Sequence, residues 1–274
     1  MDSLQKQFPK EFAEGLFELI IVDNDSGDDS VKQLNERIKT KSYKHTTVIA
    51  NPENAGFGKG CNLGARHSKG DFILFLNNDT VAKDRGILSM AHYMKAHSEI
   101  GILGGQLRNP DGSLQASTGK FYTLYNAFLL LLGMQKYGLL DKSPQQITEV
   151  DWVKGGLLMM SREAFITSRG FDEKIFMYTE DMELCYRVKK AGYKIVFYPD
   201  LVVLHAEHGS TNKTFAIIHI YKGLPYFYKK HRSNAEYVVL RALLKVKAGF
   251  LFTAGKLLGN DYLIQTYGQA FKVA

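Results

Sequence analysis

The side chains of this chain best placed to do chemistry are carboxylates and amides that follow apolar runs. Five apolar residues, Phe72-Ile73-Leu74-Phe75-Leu76, stop at Asn77-Asn78-Asp79. Such a run suits a strand buried on both faces. Asp79 then lies at the carboxyl end of a central strand, where open α/β sheets bind ligands. Hard divalent cations take oxygen ligands and need few protein carboxylates when phosphates supply the rest. Asp79 is therefore the candidate ligand for Mg²⁺ or Mn²⁺, the metal in turn holding a nucleotide diphosphate. A plain polar turn explains the same residues equally well.

Four further clusters carry comparable chemistry. Asp23 and Asn24 end a second apolar run, where an acidic residue can accept hydrogen bonds from a base or ribose; an Asx turn is the simpler account. Asn54-Ala55-Gly56-Phe57-Gly58-Lys59-Gly60-Cys61-Asn62 offers close backbone approach and a helix start suited to an anion, with Lys59 adding positive charge. It lacks the Walker lysine and hydroxyl of a P-loop. Tyr178-Thr179-Glu180-Asp181 opens a helical pattern. Acidic residues there complement the helix dipole, or one acts as general base on a hydroxyl. The aromatics Phe171, Phe176 and Tyr178 would wall that base and raise its pKa. His205-Ala206-Glu207-His208-Gly209-Ser210 follows an apolar strand, and a histidine there could complete a metal shell.

The elements that must position these groups alternate. Helical patterns are expected over 3–15, 30–39, 57–67, 85–97, 180–191, 215–230 and 237–258. Strands are expected over 17–22, 46–50, 72–76, 100–107, 193–198 and 201–204, with two short ones around Gly155-Gly156. Alternation of this kind implies an α/β fold with a mixed, mainly parallel sheet flanked by helices. The apolar stretch from Leu124 to Met134 is too short to span a membrane and is expected to be a core helix or a cleft wall.

Composition narrows the classes. At 274 residues, 45% hydrophobic and 23% charged, the chain is ordinary for a globular protein with a large core. Cys61 and Cys185 are far apart, which gives no disulfide framework or zinc site. Residues 1–12 lack the apolar centre of a secretory signal, so a cytoplasmic location is expected. The net charge of +7 resides in the tail: from Lys213 onward ten basic residues face only Glu236 and Asp261. The expected organisation is a domain over 1–212 and a basic, amphipathic helical extension over 213–274. That extension suits an anionic membrane surface at the inner face, or is a packing helix with a solvated basic side. No nucleic-acid partner is expected.

Together the clusters resemble the family 2 glycosyltransferases of the GT-A fold, in their rhamnosyltransferase-like branch. The residues that carry the likeness are Ile21-Val22-Asp23-Asn24, Asn54-x-Gly56-Phe57-Gly58 with Asn62, Leu76-Asn77-Asn78-Asp79, Gly170-Phe171-Asp172-Glu173, Tyr178-x-Glu180-Asp181, and Pro199 with His205. The resemblance implies inverting transfer from a dTDP- or UDP-sugar, dTDP-rhamnose first, to a glycan or lipid-linked acceptor in bacterial surface-polysaccharide assembly. It implies nucleotide contacts from Asp23, Asn24, Asn54, Gly56, Lys59, Asn62 and Asn78. It implies metal contacts from Asp79 and His205, with His208 as competitor, and Asn77 standing where the family's metal motif has its first Asp. Asp181 would be the base with Glu180 beside it; Trp152, Gly155, Phe171, Asp172 and Tyr178 would face the acceptor. Members of the family begin with an apolar strand ahead of the first helix, whereas Met1 falls at about that helix. The first strand is thus expected to be missing, leaving neighbouring edges unpaired. A sugar-nucleotide binder without turnover is the rival expectation. A nucleotidyltransferase is disfavoured, since no Gly-rich loop bearing Arg or Lys stands near the start.

Overall fold

The computed structural model describes residues 1–134, 138–206 and 213–274. Glu207, His208 and Ser210 lie outside the described residues. The first helical stretch is two helices, α1 (Asp2–Gln7) and α2 (Pro9–Ala13), because Pro9 fits a helix start and cannot continue one. Then come β1 (Leu19–Asp23), α3 (Ser30–Lys41), β2 (Thr46–Ala50), α4 (Phe57–His67), β3 (Phe72–Leu76), β4 (Thr80–Ala82), α5 (Gly86–Ala96) and β5 (Ile100–Arg108). The middle holds β6 (Thr118–Gly119), α6 (Leu124–Leu131), β7 (Asp141–Lys142), β8 (Thr148–Glu149), β9 (Trp152–Val153), β10 (Leu157–Ser161) and α7 (Arg162–Ser168). The chain continues through α8 (Glu180–Lys190), β11 (Lys194–His205), α9 (Lys213–His231), α10 (Asn234–Leu258) and α11 (Asp261–Val273).

The central sheet runs β3-β10-β5-β11-β4, with β8 also on β11; β1 and β2 form a separate parallel pair, and β7-β6-β9 a small third sheet. The central sheet is mixed. β5 and β11 pair in parallel, while β10 runs against both β3 and β5, and β4 against β11. Side chains along β10 alternate between two cores, as the pleat requires. Leu158 and Met160 face the helices that include α8; Leu157 and Met159 face α5 and α2. Among the described residues β1 pairs only with β2, and β3 only with β10. Glu18 reaches between these two strands, its Oε1 accepting from the Gly70 N–H at 3.0 Å and from the Lys69 N–H.

Two strands expected around Pro199 are one strand, β11. The pairing with β5 shifts register between Tyr198 and Val202, and this irregularity accommodates the proline, which cannot donate to a ladder. The tail is not a separate core. Tyr221, Leu224, Phe227 and Tyr228 of α9 pack in one cluster with Met182 and Leu184 of α8. The boundary expected at 212 therefore does not divide two hydrophobic interiors.

Gly223 sets how closely α9 crosses the start of α8. A Cβ there would lie 2.0 Å from Oγ1 of buried Thr179. Gly223→Ala is expected to lower stability by about 1–3 kcal/mol despite alanine's better helix propensity. Adding Thr179→Ala should restore most of the loss. Urea midpoints of the single and double variants check this; an unchanged midpoint for Gly223→Ala would refute the close crossing.

Candidate active site

Two adjacent carboxylates at the start of α8 meet different surroundings. Asp181 keeps an exposed edge, and its oxygens accept from the Gly155 N–H at 3.1 Å and its neighbour Met182 N–H at 2.8 Å. Burial pushes its carboxyl above the usual range, while those two amides and the nearby Lys154 ammonium oppose the rise. Glu180 is buried, and its Oε2 has no hydrogen-bond partner. Burial first, and then the Asp181 charge, push Glu180 up to about 8. At neutral pH Glu180 holds its proton.

Gly155 and Gly156 connect this pair to the second acidic site. A Cβ on Gly155 would sit 3.5 Å from that of Asp181, and one on Gly156 would sit 3.3 Å from Nδ2 of Asn77. The Asn77 N–H also donates to the Gly156 carbonyl at 3.2 Å. Asn77 Nδ2 lies 3.3 Å from Nε2 of His205, and that nitrogen lies 3.2 Å from Oδ1 of Asp79. The pairing of β4 with β11 sets this last contact, because it places Thr80 opposite His205.

The Asp79–His205 pair has the features of half a cation site. Oδ1 of Asp79 is buried and accepts no hydrogen bond, although the His205 imidazole is close. Two ligand atoms in cis positions at about 2.1 Å from one cation stand roughly 3 Å apart, close to the spacing seen. Nδ1 of His205 lies 2.9 Å from Oε1 of Gln115, which can only accept; that bond puts the proton on Nδ1 and leaves Nε2 an acceptor, within reach of both Asn77 Nδ2 and a cation beside Asp79. Gln115 is fixed in turn by donating to the Asn109 side chain at 2.6 Å and the His205 carbonyl at 3.0 Å. Among the described residues no group of three His, Cys, Asp or Glu could enclose a metal. A two-residue site suits a cation that takes its other oxygens from a diphosphate.

Asp23 ends β1, and Asn24 follows it. Asp23 accepts from the Ser26 hydroxyl at 2.5 Å. Asn24 donates to Asn54 Oδ1 and to the Gly56 carbonyl, and accepts from the Asn51 amide. Gly56 has φ +84°, and a Cβ there would strike the Phe176 carbonyl at 2.4 Å, so only glycine fits. The next residue, Phe57, lies against both Gly155 and Phe171. Asp23, Asn24, Asn54 and Gly56 are thus joined to Asp181 through one continuous set of contacts. Lys59 pairs with Glu53 at 3.0 Å, and Asn78 is exposed.

Several expected contacts take other parts. Asn62 is buried; its amide binds the Phe171 backbone at both N and O and the Glu173 carboxylate, so the nucleotide contact expected of it gives way to a clamp between α4 and the turn before α8. Phe171 and Trp152, only 2% and 6% exposed, belong to the core and cannot face an acceptor. Asp172 accepts from Tyr226 at 2.7 Å and Lys230 at 2.6 Å. Tyr178 holds φ +80°, a strained conformation for a non-glycine, one residue before Thr179 and two before Glu180. Sequence reasoning missed Gln115, Lys154 and Glu183. Gln115 is a neutral amide outside any motif. Lys154 adjoins Gly155-Gly156, which is a usable signal. Glu183 is one more carboxylate in the first turn of a helix and carries no local sign of its burial.

Comparison with known proteins adds the following. The family model described as "Glycosyl transferase family 2" matches residues 1–176, and "N-terminal domain of galactosyltransferase" matches residues 147–209. Rhamnosyltransferase WbbL of Escherichia coli (strain K12) is 27% identical over 170 residues, which cover 59% of this chain and 64% of that protein. N-acetylglucosaminyl-diphospho-decaprenol L-rhamnosyltransferase of Mycobacterium tuberculosis (strain ATCC 25618 / H37Rv) is 27% identical over 215 residues, 71% of this chain and 68% of that protein. The chain thus spans about two thirds of the length of these relatives. Among solved structures, GalNAc-T7 with UDP, GalNAc and Mn²⁺ superposes with TM-score 0.58 at 20% identity, over 82% of this chain and 46% of that one. The mannosyltransferase PcManGT from Pyrobaculum calidifontis, in complex with GDP-Man and Mn²⁺, gives 0.58 at 17% identity, over 98% and 68%. At these identities the structural likeness is one of fold.

The Glu180 environment has a pH consequence. Its folded pKa of about 8 lies above the ordinary 4.5, so between those values the native state binds more protons than the unfolded one. Stability contributed by this group is complete below about pH 4.5 and declines as pH rises to about 8, with a slope approaching about 1.4 kcal/mol per pH unit. Glu180→Gln should flatten the decline. Urea unfolding of both proteins from pH 5 to 8 measures it, and parallel curves would contradict the assignment.

Proposed function

Since the chain belongs to glycosyl transferase family 2, with the GT-A fold of its structural neighbours, we propose that it is an inverting hexosyltransferase. It moves a sugar from a nucleoside-diphosphate donor to a hydroxyl of a glycan or lipid-linked acceptor in the synthesis of a bacterial surface polysaccharide. The names of two relatives support rhamnose as the sugar, hence dTDP-rhamnose as donor, and one supports a lipid-diphosphate-linked acceptor. The observation that carries the proposal is the two-glycine bridge. Gly155 binds Asp181, and Gly156 packs on Asn77 beside Asp79 and His205.

In this arrangement Asp181 takes the acceptor's hydroxyl proton as that oxygen attacks the anomeric carbon. The bond from that carbon to the diphosphate breaks on the opposite face, which inverts the centre. Both carboxylate oxygens retain lone pairs beyond their amide bonds, so the proton has a place to go. Protonated Glu180 spares the base a neighbouring negative charge. Asp79 and His205 would hold Mg²⁺ or Mn²⁺, which when bound offsets charge on the leaving diphosphate. Asp23, Asn24, Asn54 and Gly56 receive the nucleoside, with Lys59 and Asn78 at the exposed margin. No helix among the described residues is long and apolar enough to cross a membrane; the basic C-terminal helices support peripheral contact at the inner face.

Asp181→Asn should lower turnover of dTDP-rhamnose by about 10²–10⁴-fold while calorimetric affinity for the donor stays within error. A protein that only binds sugar nucleotides would show no turnover to lose. Gln115→Ala should weaken Mn²⁺ binding by about 10–100-fold by releasing the His205 ring. Titration of Mn²⁺ in the presence of dTDP tests it, and unchanged affinity would exclude His205 as an oriented ligand.

A further inference from the structure

The outward face of α10 has a composition that the transferase site does not explain. This helix of 25 residues is about 37 Å long. Its inner side buries Leu240, Leu244, Ala248 and Gly255. Val239, Val246, Phe250 and Leu257 recur at intervals of seven, four and seven, so they fall within about 40° of one another around the helix. They are 46%, 70%, 71% and 83% exposed. Lys245 and Lys256 project about 100° around the helix from this stripe on one side, and half-buried Lys247 about 80° on the other. Lys256 lies 4.6 Å from the Phe252 ring centre, its stem laid along apolar surface.

Charge complementarity says what covers the stripe. No acidic residue occurs from Tyr237 to Asn260. The acids that bound this interval are both at helix starts: Glu236 closes a capping box with Ser233, and Asp261 lies in the first turn of α11. A protein partner of ordinary composition would leave these cations facing mixed charges, whereas an anionic bilayer meets the lysines with phosphates and the stripe with acyl chains. A groove of about 610 Å³ between α10 and α11, lined by Gly249, Phe252, Thr253 and Phe271 among others, opens beside the Lys245–Lys256 edge and extends the apolar area. α6, packed against α10, also exposes Tyr125 and Phe128.

We infer that the outward face of α10 docks this protein on an anionic lipid surface, with Val246, Phe250 and Leu257 entering the acyl boundary and the flanking lysines binding headgroup phosphates. The inference does not depend on which sugar is transferred. Its test is flotation of the full chain with vesicles of phosphatidylcholine alone and with about one third phosphatidylglycerol. Wild-type protein should float with the anionic vesicles only. Each of Lys245→Gln and Lys256→Gln should weaken partitioning about fivefold, and Phe250→Asp with Leu257→Asp should abolish it. All substituted positions are exposed, and circular dichroism confirms the fold of each variant. Equal flotation of wild type and the Phe250→Asp, Leu257→Asp variant overturns the proposal. So does failure of wild type to float at all, or a concentration-dependent dimer that the same variant dissociates without any vesicle binding.

Discussion

A single buried carboxylate fixes the geometry on which the candidate site depends. Glu183 is fully buried one turn into α8, and accepts from Arg187, from Lys230 at 2.7 Å and from His231 at 2.9 Å. Burial alone would raise its pKa; His231, Arg187 and Lys230 together overcome that and hold it at about 2. Lys230 also binds Asp172, and Arg187 also donates to the carbonyls of Ser168 and Gly170. One cluster therefore joins the end of α7, the turn before α8, α8 itself and α9. Its formal charges nearly balance, with two carboxylates against Arg187 and Lys230. Removing any one partner would strand a buried charge, which costs far more than the intact cluster contributes.

That fixed frame lets two neighbouring carboxylates behave differently. Glu180 and Asp181 share a helix turn and a sequence position within one residue, so helix dipole and local charge act on both. What separates them is which side of α8 they leave from. Asp181 turns toward Gly155, where a backbone N–H stabilises its ionised form; Glu180 turns inward with an unpartnered oxygen, near Cys61. α9 closes over the preceding residue, Thr179, at Gly223.

How much of this was legible depends on the range of the interaction. Asp79 after its apolar run, Asp23 after another, and the acidic start of α8 announce themselves locally. The structure puts each at the end of the element its pattern implied. Local pattern failed wherever a long-range partner decided the outcome. β11 runs through Pro199 because β5 holds it on both sides of the irregularity. β4 is three residues long and exists only as a partner of β11. Asn62 follows a run of glycines that favours a ligand contact, yet a turn 109 residues away takes its amide. Trp152 and Phe171 have the composition of a binding wall and the burial of a core. Gln115 gave no signal at all, because its role is defined only by the ring it orients.

The tail helices and α8 form one mechanical unit. α9 is clamped to α8 by Lys230 and His231 at its C-terminal end, and α10 starts three residues after His231 with a capping box that fixes its direction. Arg241 then binds the carbonyl of Ala274, closing α11 back on α10. Contacts between packed helices join the carboxylates of α8 to the exposed stripe of α10. A surface that captures α10 therefore also fixes the orientation of the Asp181 cleft, through packed helices whose joints are a salt-bridge cluster and a cap. For an acceptor carried on a lipid, this rigid connection replaces a search over orientations with a search in the plane of the bilayer.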